Sequence, residues 1–247
     1  MALDRTLYDW IGGTYSVGRR TDPRIAARIW DALGNAETVL NVGAGTGSYE
    51  PPGRDVVAVE PSTVMRSQRP TDAAPCVGAV AEHLPFADKS FDVAMAVLTD
   101  HHWSDPIRGF QEMKRVARRV VVFQWDERWL ARYWLVRDYV PEFARVGGRP
   151  SLAQRAAVIG ARLETVPIPW NCVDGFFHAY WRRPEAYLDE QVRRCTSVWG
   201  RLGRNLEARA VAALAADLVT FVWHDRNSDL LELSEIDLGA RLLVGES

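Results

Sequence analysis

Val39-Leu40-Asn41-Val42-Gly43-Ala44-Gly45-Thr46-Gly47-Ser48 is a short, mostly apolar run that leads into three glycines spaced two apart. Eight residues after Ser48 a second apolar run begins, Val56-Val57-Ala58-Val59, and it ends on Glu60. The pattern predicts a strand, a loop without side chains at three places, and a second strand with a carboxylate at its C-terminal edge. Gly has no Cβ and tolerates positive φ, so such a loop lets a ligand touch the backbone. A carboxylate at the tip of the next strand accepts both hydrogen bonds of a ribose diol. The pair points to a nucleoside-containing cofactor.

Working outward, strand one is expected over about 38–42 and strand two over about 56–59. A short helix from Pro61 to about Arg69 follows, then a third strand within 76–80. Phe91–Leu98 is apolar on both faces for most of its length, as a buried parallel strand is. Pro106–Ala117 reads as a helix and Val120-Val121-Val122-Phe123 as a fifth strand. Upstream, Pro23 precedes apolar residues at helical spacing as far as Leu33, and Gly34 stands where the helix stops. Strands alternating with helices indicate a parallel sheet covered on both sides. Beyond Trp125, helices are expected over 126–146, 151–159, 184–202 and 206–226, a strand within 162–168, and a last strand at Ala240–Val244. Seven of the ten Trp lie from Trp125 onward, so this half has large side chains to bury. The expected organisation is one domain, 1–247. It comprises an N-terminal cap (1–36), a cofactor-binding core (37–125), helical additions that cap the acceptor (126–235) and a last strand (236–247).

Composition narrows the classes. The 247 residues are 47% apolar and 25% charged, with a net charge of −2, ordinary for a globular protein. No apolar run reaches the roughly 18 to 20 residues of a membrane span, and no signal core follows Met1-Ala2-Leu3-Asp4-Arg5. Cys76, Cys172 and Cys195 are odd in number, scattered and without metal spacing. The expectation is a reduced, cytoplasmic protein with no structural metal. Basic residues come at most in pairs, such as Arg19-Arg20, Arg118-Arg119 and Arg193-Arg194. No nucleic-acid partner and no membrane partner is therefore expected. Oligomeric state is not readable.

A third segment joins the first two: Ala81-Glu82-His83-Leu84-Pro85-Phe86, followed by Ser90-Phe91-Asp92-Val93. With these in order, residues 38–125 resemble the class I S-adenosylmethionine-dependent methyltransferases, in their "type 11" small-molecule group. The resemblance implies a Rossmann-like, seven-stranded, mostly parallel sheet whose last strand is antiparallel, with S-adenosyl-L-methionine bound at the C-terminal edge of the strands. It places Gly43, Ala44 and Gly45 along the methionine part, Glu60 on the ribose hydroxyls, Pro61 near the adenine, Ala81 and Glu82 at the adenine edge, and Leu98 on its other side. In similar enzymes an N-terminal Tyr covers the cofactor and an Arg pairs with its carboxylate, roles that fall here on Tyr15 (with Tyr8) and Arg19 (with Arg20). Three differences stand out. Asn41 replaces the usual acidic residue that meets the cofactor's amino group. Val80 replaces an Asp that accepts from the adenine amine. Tyr49-Glu50-Pro51-Pro52-Gly53 interrupts the helix that normally follows the loop, since Pro costs ~3 kcal/mol inside a helix.

Methyl transfer from a sulfonium is an in-line displacement, in which aligning the nucleophile supplies much of the rate. Strand four ends in Thr99-Asp100-His101-His102-Trp103-Ser104-Asp105, a loop that should face the methyl group. His101 or His102 is the candidate general base, with Asp100 orienting the ring; a packing role for the His pair is the alternative. Trp125, Trp129, Tyr133, Trp134, Trp170, Phe176, Phe177, His178, Tyr180 and Trp181 supply aromatics for an acceptor pocket, a minority of them in contact with substrate. Among the polar residues there, His178 and Asp174 stand out. The expected function is methylation of an O, N or C atom of a small, partly apolar metabolite. One alternative is a methyltransferase-like protein that binds ligand without methylating, or runs another reaction. Another is an NAD-dependent oxidoreductase, which the Gly43-x-Gly45-x-x-Ser48 spacing disfavours.

Overall fold

The computed structural model describes residues 18–145 and 149–246. Tyr8 and Tyr15 lie outside the described residues. The first helix, α1 (Pro23–Ala32), starts where the Asp22 carboxylate accepts from the Arg24 N–H and Pro23 takes the first turn, a position whose N–H has no helical partner anyway. Its Ile25, Ala26 and Ile29 face the core. β1 (Thr38–Val42) and β2 (Asp55–Val59) then pair in parallel, Val39 opposite Val56 and Val42 opposite Val59. Between them residues 43–54 hold turns and no helix. α2 (Thr63–Ser67) is capped by the Ser62 hydroxyl, and β3 is only Cys76–Val77. β4 (Phe91–Val97), α3 (Pro106–Val116) and β5 (Ala117–Trp125) complete the parallel half.

The second half carries α4 (Trp134–Asp138), α5 (Leu152–Val158), β6 (Arg162–Thr165), β7 (Ile168–Pro169), α6 (Glu190–Arg194), α7 (Ser197–Gly200), α8 (Arg204–Val219), α9 (Val222–Arg226), β8 (Glu235–Ile236) and β9 (Ala240–Glu246). The main sheet has seven strands in the order β3-β2-β1-β4-β5-β9-β6, and β9 runs antiparallel to both β5 and β6. This is the Rossmann-like, mostly parallel sheet that the resemblance implies. The chain order reverses between β1 and β4, and ligands of open α/β sheets sit at such a switch point.

The long helices expected after Trp125 are broken. The span 126–146 becomes two 3-10 stretches around α4, the second beginning at Pro141. The span 184–202 is interrupted at Asp189, whose carboxylate turns back to cap α6. The span 206–226 is cut at Phe221, which adopts φ 60° between α8 and α9. The expected strand over 162–168 splits: β6 joins the main sheet, and β7 leaves it to pair with β8. The bulky side chains explain the tolerance for short pieces. Tyr133, Trp134, Trp181, Tyr187 and Trp223 are buried, and Trp134 packs edge to face on both Tyr187 and Trp223, so tertiary burial rather than helix length holds this half together. Among the described residues no helix is long and apolar enough to cross a membrane, and no cluster of three metal-ligating side chains occurs.

Candidate active site

The glycine loop leaves β1 with three residues in left-handed conformation: Gly43 at φ 70°, Gly45 at 54° and Gly47 at 100°. A Cβ on Gly43 would stand 2.1 Å from the Thr99 hydroxyl, so Gly is required there by space as well as by φ. The loop is tied to the tip of β2. Glu60 accepts from the Gly45 N–H at 2.9 Å and from the Ser62 N–H at 2.9 Å. Burial pushes the Glu60 carboxyl above its usual range, against the pull of those two N–H groups and of Arg66 and Arg69. A carboxylate held by backbone donors at the loop and lining a cavity is placed to meet a diol.

That cavity measures about 390 Å³. Gly43, Ala44, Gly45, Glu60, Pro61, Ala81, Glu82, Leu98 and Arg19 all line it, together with His102, Asn41 and Val80. The expected cofactor residues within the described chain therefore share one wall system. Two of them have further contacts. The Glu82 carboxylate accepts from the Ser104 hydroxyl and the Asp105 N–H, at 2.8 and 3.0 Å, and so pins the loop after β4. Arg19 is clamped by Asp174, Nε to Oδ1 at 2.5 Å and Nη2 to Oδ2 at 3.2 Å. Asp174 is itself buried and also accepts from the Tyr49 hydroxyl at 2.9 Å. Asp174 thus positions Arg19 rather than facing an acceptor.

The interrupted helix has a structural counterpart at Asn41. Glu50 reaches back from the Tyr49-Glu50-Pro51-Pro52 turn and accepts from Asn41 Nδ2 at 3.2 Å. Arg69 pairs with the same Glu50 at 2.7 Å. Asn41 Oδ1 is left to accept from a cationic group, with a carboxylate one bond behind it. Sequence alone showed the missing charge at Asn41 but not this replacement.

At the end of β4, Leu98 is left-handed at φ 51°, a conformation costly for a residue with a Cβ. It turns the chain into the Asp100–His102 stretch. Here the expected pairing of Asp100 with a histidine is replaced. Asp100 is fully buried, and its carboxylate accepts from Gln124 Nε2 and from Arg155 Nη1. Arg155 also pairs with Glu127. A buried carboxylate needs a full counter-charge, and the guanidinium supplies it where an imidazole would not. Gln124 stands between: its Oε1 accepts from the Trp125 N–H at 2.8 Å, which turns Nε2 toward Asp100 and toward His101 Nδ1 at 3.2 Å. His101 Nδ1 is then an acceptor, and the ring proton resides on Nε2. Burial, with the positive charges of Arg201, Arg149, Arg155 and Arg19, pushes His101 down to about 3. Burial, His101 and the same arginines hold His102 well below its usual value. Both rings are neutral at pH 7, and their centroids lie 3.9 Å apart.

A second cavity of about 370 Å³ adjoins the first, and Arg19, Leu98, Arg149 and Arg201 line both. His101 and Gln124 form one side of it. Of the ten aromatics expected around an acceptor, Trp125, Phe176, Phe177 and His178 line it. Tyr133, Trp134 and Trp181 belong to the buried core, and Trp170 is exposed. His178 is 4% exposed and lies against Trp125 at 4.1 Å between centroids. Gln124, Phe143, Arg149 and Arg201 were missed by sequence reasoning. Only Gln124 left a signal, as the polar residue that follows the apolar run Val120–Phe123.

A cradle of left-handed glycines, a carboxylate on β2 and a switch-point cavity define a nucleoside-cofactor protein of the Rossmann-like class. Comparison with known proteins makes this specific. The model of a family described as "Methyltransferase domain" matches residues 40–123. A crystal structure from Anabaena variabilis, assigned as a methyltransferase of an antibiotic biosynthesis pathway, superposes with a TM-score of 0.85 at 31% identity. That match covers 93% of this chain and 99% of the other. Uncharacterized methyltransferases of Mycobacterium tuberculosis and Mycobacterium bovis are 38% identical over 173 residues, 65% of this chain. The match spans 64% of the length of these mycobacterial relatives. The chain belongs to the class I S-adenosylmethionine-dependent methyltransferases.

Proposed function

We propose that this protein transfers the methyl group of S-adenosylmethionine to an O, N or C atom of a small, partly apolar metabolite. The observation that carries the reading is the pair of adjoining cavities. One is built from the glycine loop and Glu60, the other from Trp125, Phe176, Phe177 and Leu130, and Leu98 borders both. The lining fits the cofactor: the left-handed Gly43 and Gly45 present bare backbone to the cavity, and Glu60 stands beside them on the same wall. Gly43 to Gly45 would hold the methionine part, Glu60 the ribose, and Pro61 and Ala81 the adenine. Bound there, the cofactor supplies an electrophilic methyl on a sulfonium. The protein's own part is to fix the acceptor in line and keep water out, with the apolar walls and the Leu98 turn between the cavities. His101, with its proton on Nε2, serves as a hydrogen-bond donor to a polar atom of the acceptor.

Isothermal titration with S-adenosylmethionine, S-adenosylhomocysteine and NAD, followed by transfer of labelled methyl to an acceptor panel, tests this. Micromolar binding of the first two without NAD binding is expected. Failure of S-adenosylmethionine to bind up to millimolar concentration would sink the reading. Asn41 and Val80 favour one second reading, a methyltransferase-like protein that binds ligand without methylating. Cofactor binding with no turnover on any acceptor would select it.

A further inference from the structure

The charges around the second cavity are matched almost everywhere. Arg19 pairs with Asp174, Arg128 with Asp126, and Arg155 is shared by Asp100 and Glu127. Among the described residues no carboxylate lies within ion-pair distance of Arg149 or Arg201, although both line the two cavities where they meet. Their proximity to the loop after β4 is visible in His101, whose proton affinity they lower more than any other charged groups do. Two guanidinium groups facing one space repel each other, and an anion between them removes that cost. Guanidinium also matches carboxylate and phosphate in a bidentate fashion.

A second, independent observation comes from the opposite wall. His178 is 4% exposed, lines the same cavity, and neither Nδ1 nor Nε2 has a hydrogen-bond partner. An unpartnered buried polar group is destabilising, and the cost is relieved when a ligand supplies the missing partner. The ring lies against Trp125 and Tyr133, at 4.1 and 4.8 Å between centroids, so its polar edge is the exception in an apolar surface.

We propose that the acceptor is an anionic amphiphile: an oxyanion, carboxylate or phosphate, held by Arg149 and Arg201 at the mouth, an apolar ring body against Trp125 and Phe176, and a hydroxyl or N–H meeting His178. This deepens the methyl-transfer reading and rests on it. The anion sits at the junction, so the body of the acceptor extends away from the cofactor's end of the site and its reactive atom lies near Leu98 and His101. Recognition by two arginines also separates this acceptor from uncharged molecules of the same shape.

The test uses one ring system with three heads: 2-naphthoate, 2-naphthyl phosphate and neutral 2-naphthol, titrated into the full chain saturated with S-adenosylhomocysteine. Wild type is expected to bind at least one of the two anions at least tenfold more tightly than 2-naphthol, and whichever anion binds better identifies the head group. R149Q/R201Q should lose that preference while its melting temperature stays within about 2 °C, because both side chains are exposed. H178F should leave 2-naphthoate binding unchanged but weaken 6-hydroxy-2-naphthoate, which adds a hydroxyl at the far end of the ring, at least about threefold; equal effects on the two would overturn the His178 contact. Equal binding of anions and alcohol, or no anion binding at 5 mM (about the weakest affinity a tenfold preference would leave measurable), overturns the proposal. The double variant is also titrated with S-adenosylhomocysteine and with 5′-methylthioadenosine, which lacks the amino-acid carboxylate. Loss of the former with the latter unchanged overturns it too, by assigning the arginines to the cofactor. If neither nucleoside binds wild type, the methyl-transfer reading fails, and the anion preference is still read with the free protein.

Discussion

Replacing Asp100 by Asn separates a structural carboxylate from a chemical one. Asp100 is 0% exposed and Arg155 is 2% exposed, and the two form a buried ion pair to which Gln124 adds a hydrogen bond. Breaking a buried pair by removing one charge typically costs about 3–5 kcal/mol, because the other charge is left uncompensated in the interior. Here Arg155 retains Glu127, whose side chain is 47% exposed and therefore screened by water. The lower end, about 3 kcal/mol, is the expected loss. For a chain of this size each kcal/mol lowers the melting temperature by roughly 2–4 °C, so D100N should melt about 6–12 °C below wild type. Asp100 does not line the cofactor cavity, so the affinity for S-adenosylhomocysteine, measured by titration at a temperature where both proteins are folded, should change less than about threefold. The double variant D100N/R155M removes both charges and should recover part of the loss. A melting temperature within about 2 °C of wild type together with a tenfold weaker cofactor affinity would refute the assignment, because it would place Asp100 at the ligand rather than beneath it.

Three further perturbations read other parts of the site. Gly43→Ala puts a Cβ 2.1 Å from the Thr99 hydroxyl at φ 70° and should reduce S-adenosylhomocysteine affinity more than about tenfold; Gly53→Ala, at φ 71° with nothing within 4 Å, carries the backbone strain of about 1–2 kcal/mol alone and should leave binding intact. Glu50→Gln removes the charge behind Asn41 and leaves Arg69 uncompensated near the glycine loop, so calorimetry should show S-adenosylmethionine binding weakened about three- to tenfold. His178 is pushed down to about 3 by burial, so it is neutral in the folded protein while the unfolded chain takes up a proton below about 6.5. Its contribution is fully present above pH 6.5 and declines as pH falls toward 3, by about 2 kcal/mol at pH 5. Urea denaturation at pH 7.5 and pH 5 should therefore show a smaller acid loss for H178F than for wild type, and equal losses would contradict the buried, unpartnered ring.

How much was legible depended on whether the physical cause was local. β1, the glycine loop, β2 and Glu60 are set by neighbours in sequence: apolar runs make the strands, missing Cβ atoms make the loop, and the carboxylate falls at the strand end. β4, α3 and β5 are legible for the same reason, and β5 is longer than expected because β9 pairs along it from Arg119 to Trp125. The second half was read too helical. Apolar residues there satisfy a helical period over 184–202 and 206–226, yet Asp189 stops the first and Phe221 the second, and burial of large rings holds the pieces where hydrogen-bond continuity does not. The site divides in the same way. Most residues of the cofactor wall fall between Asn41 and Ser104, in segments that carry motifs. Arg149, Arg201, Phe143 and His178 arrive on four separate segments, and no spacing rule links them before the chain is folded.

The loop after β4 shows why residue type alone under-determines chemistry. Asp-His-His reads as an acid–base unit because the three residues are adjacent, but adjacency in a 3-10 turn sends the side chains to different places. Asp100 goes inward to Arg155, His101 to the second cavity and His102 to the first. The decisive group is Gln124 on the neighbouring strand, whose amide is oriented by the Trp125 N–H and in turn fixes the His101 tautomer. With Nδ1 engaged and the proton on Nε2, His101 cannot take a proton at its free edge, and burial together with four arginines opposes its becoming a cation. The arrangement therefore favours acceptors that react without losing a proton to this ring, and it puts the rate on alignment across Leu98 instead. Gln124→Glu tests that step: a carboxylate facing His101 would favour the imidazolium, and the ring's titration, followed by NMR, should move upward by at least about one unit. An unchanged titration would mean that Gln124 does not set the ring's state.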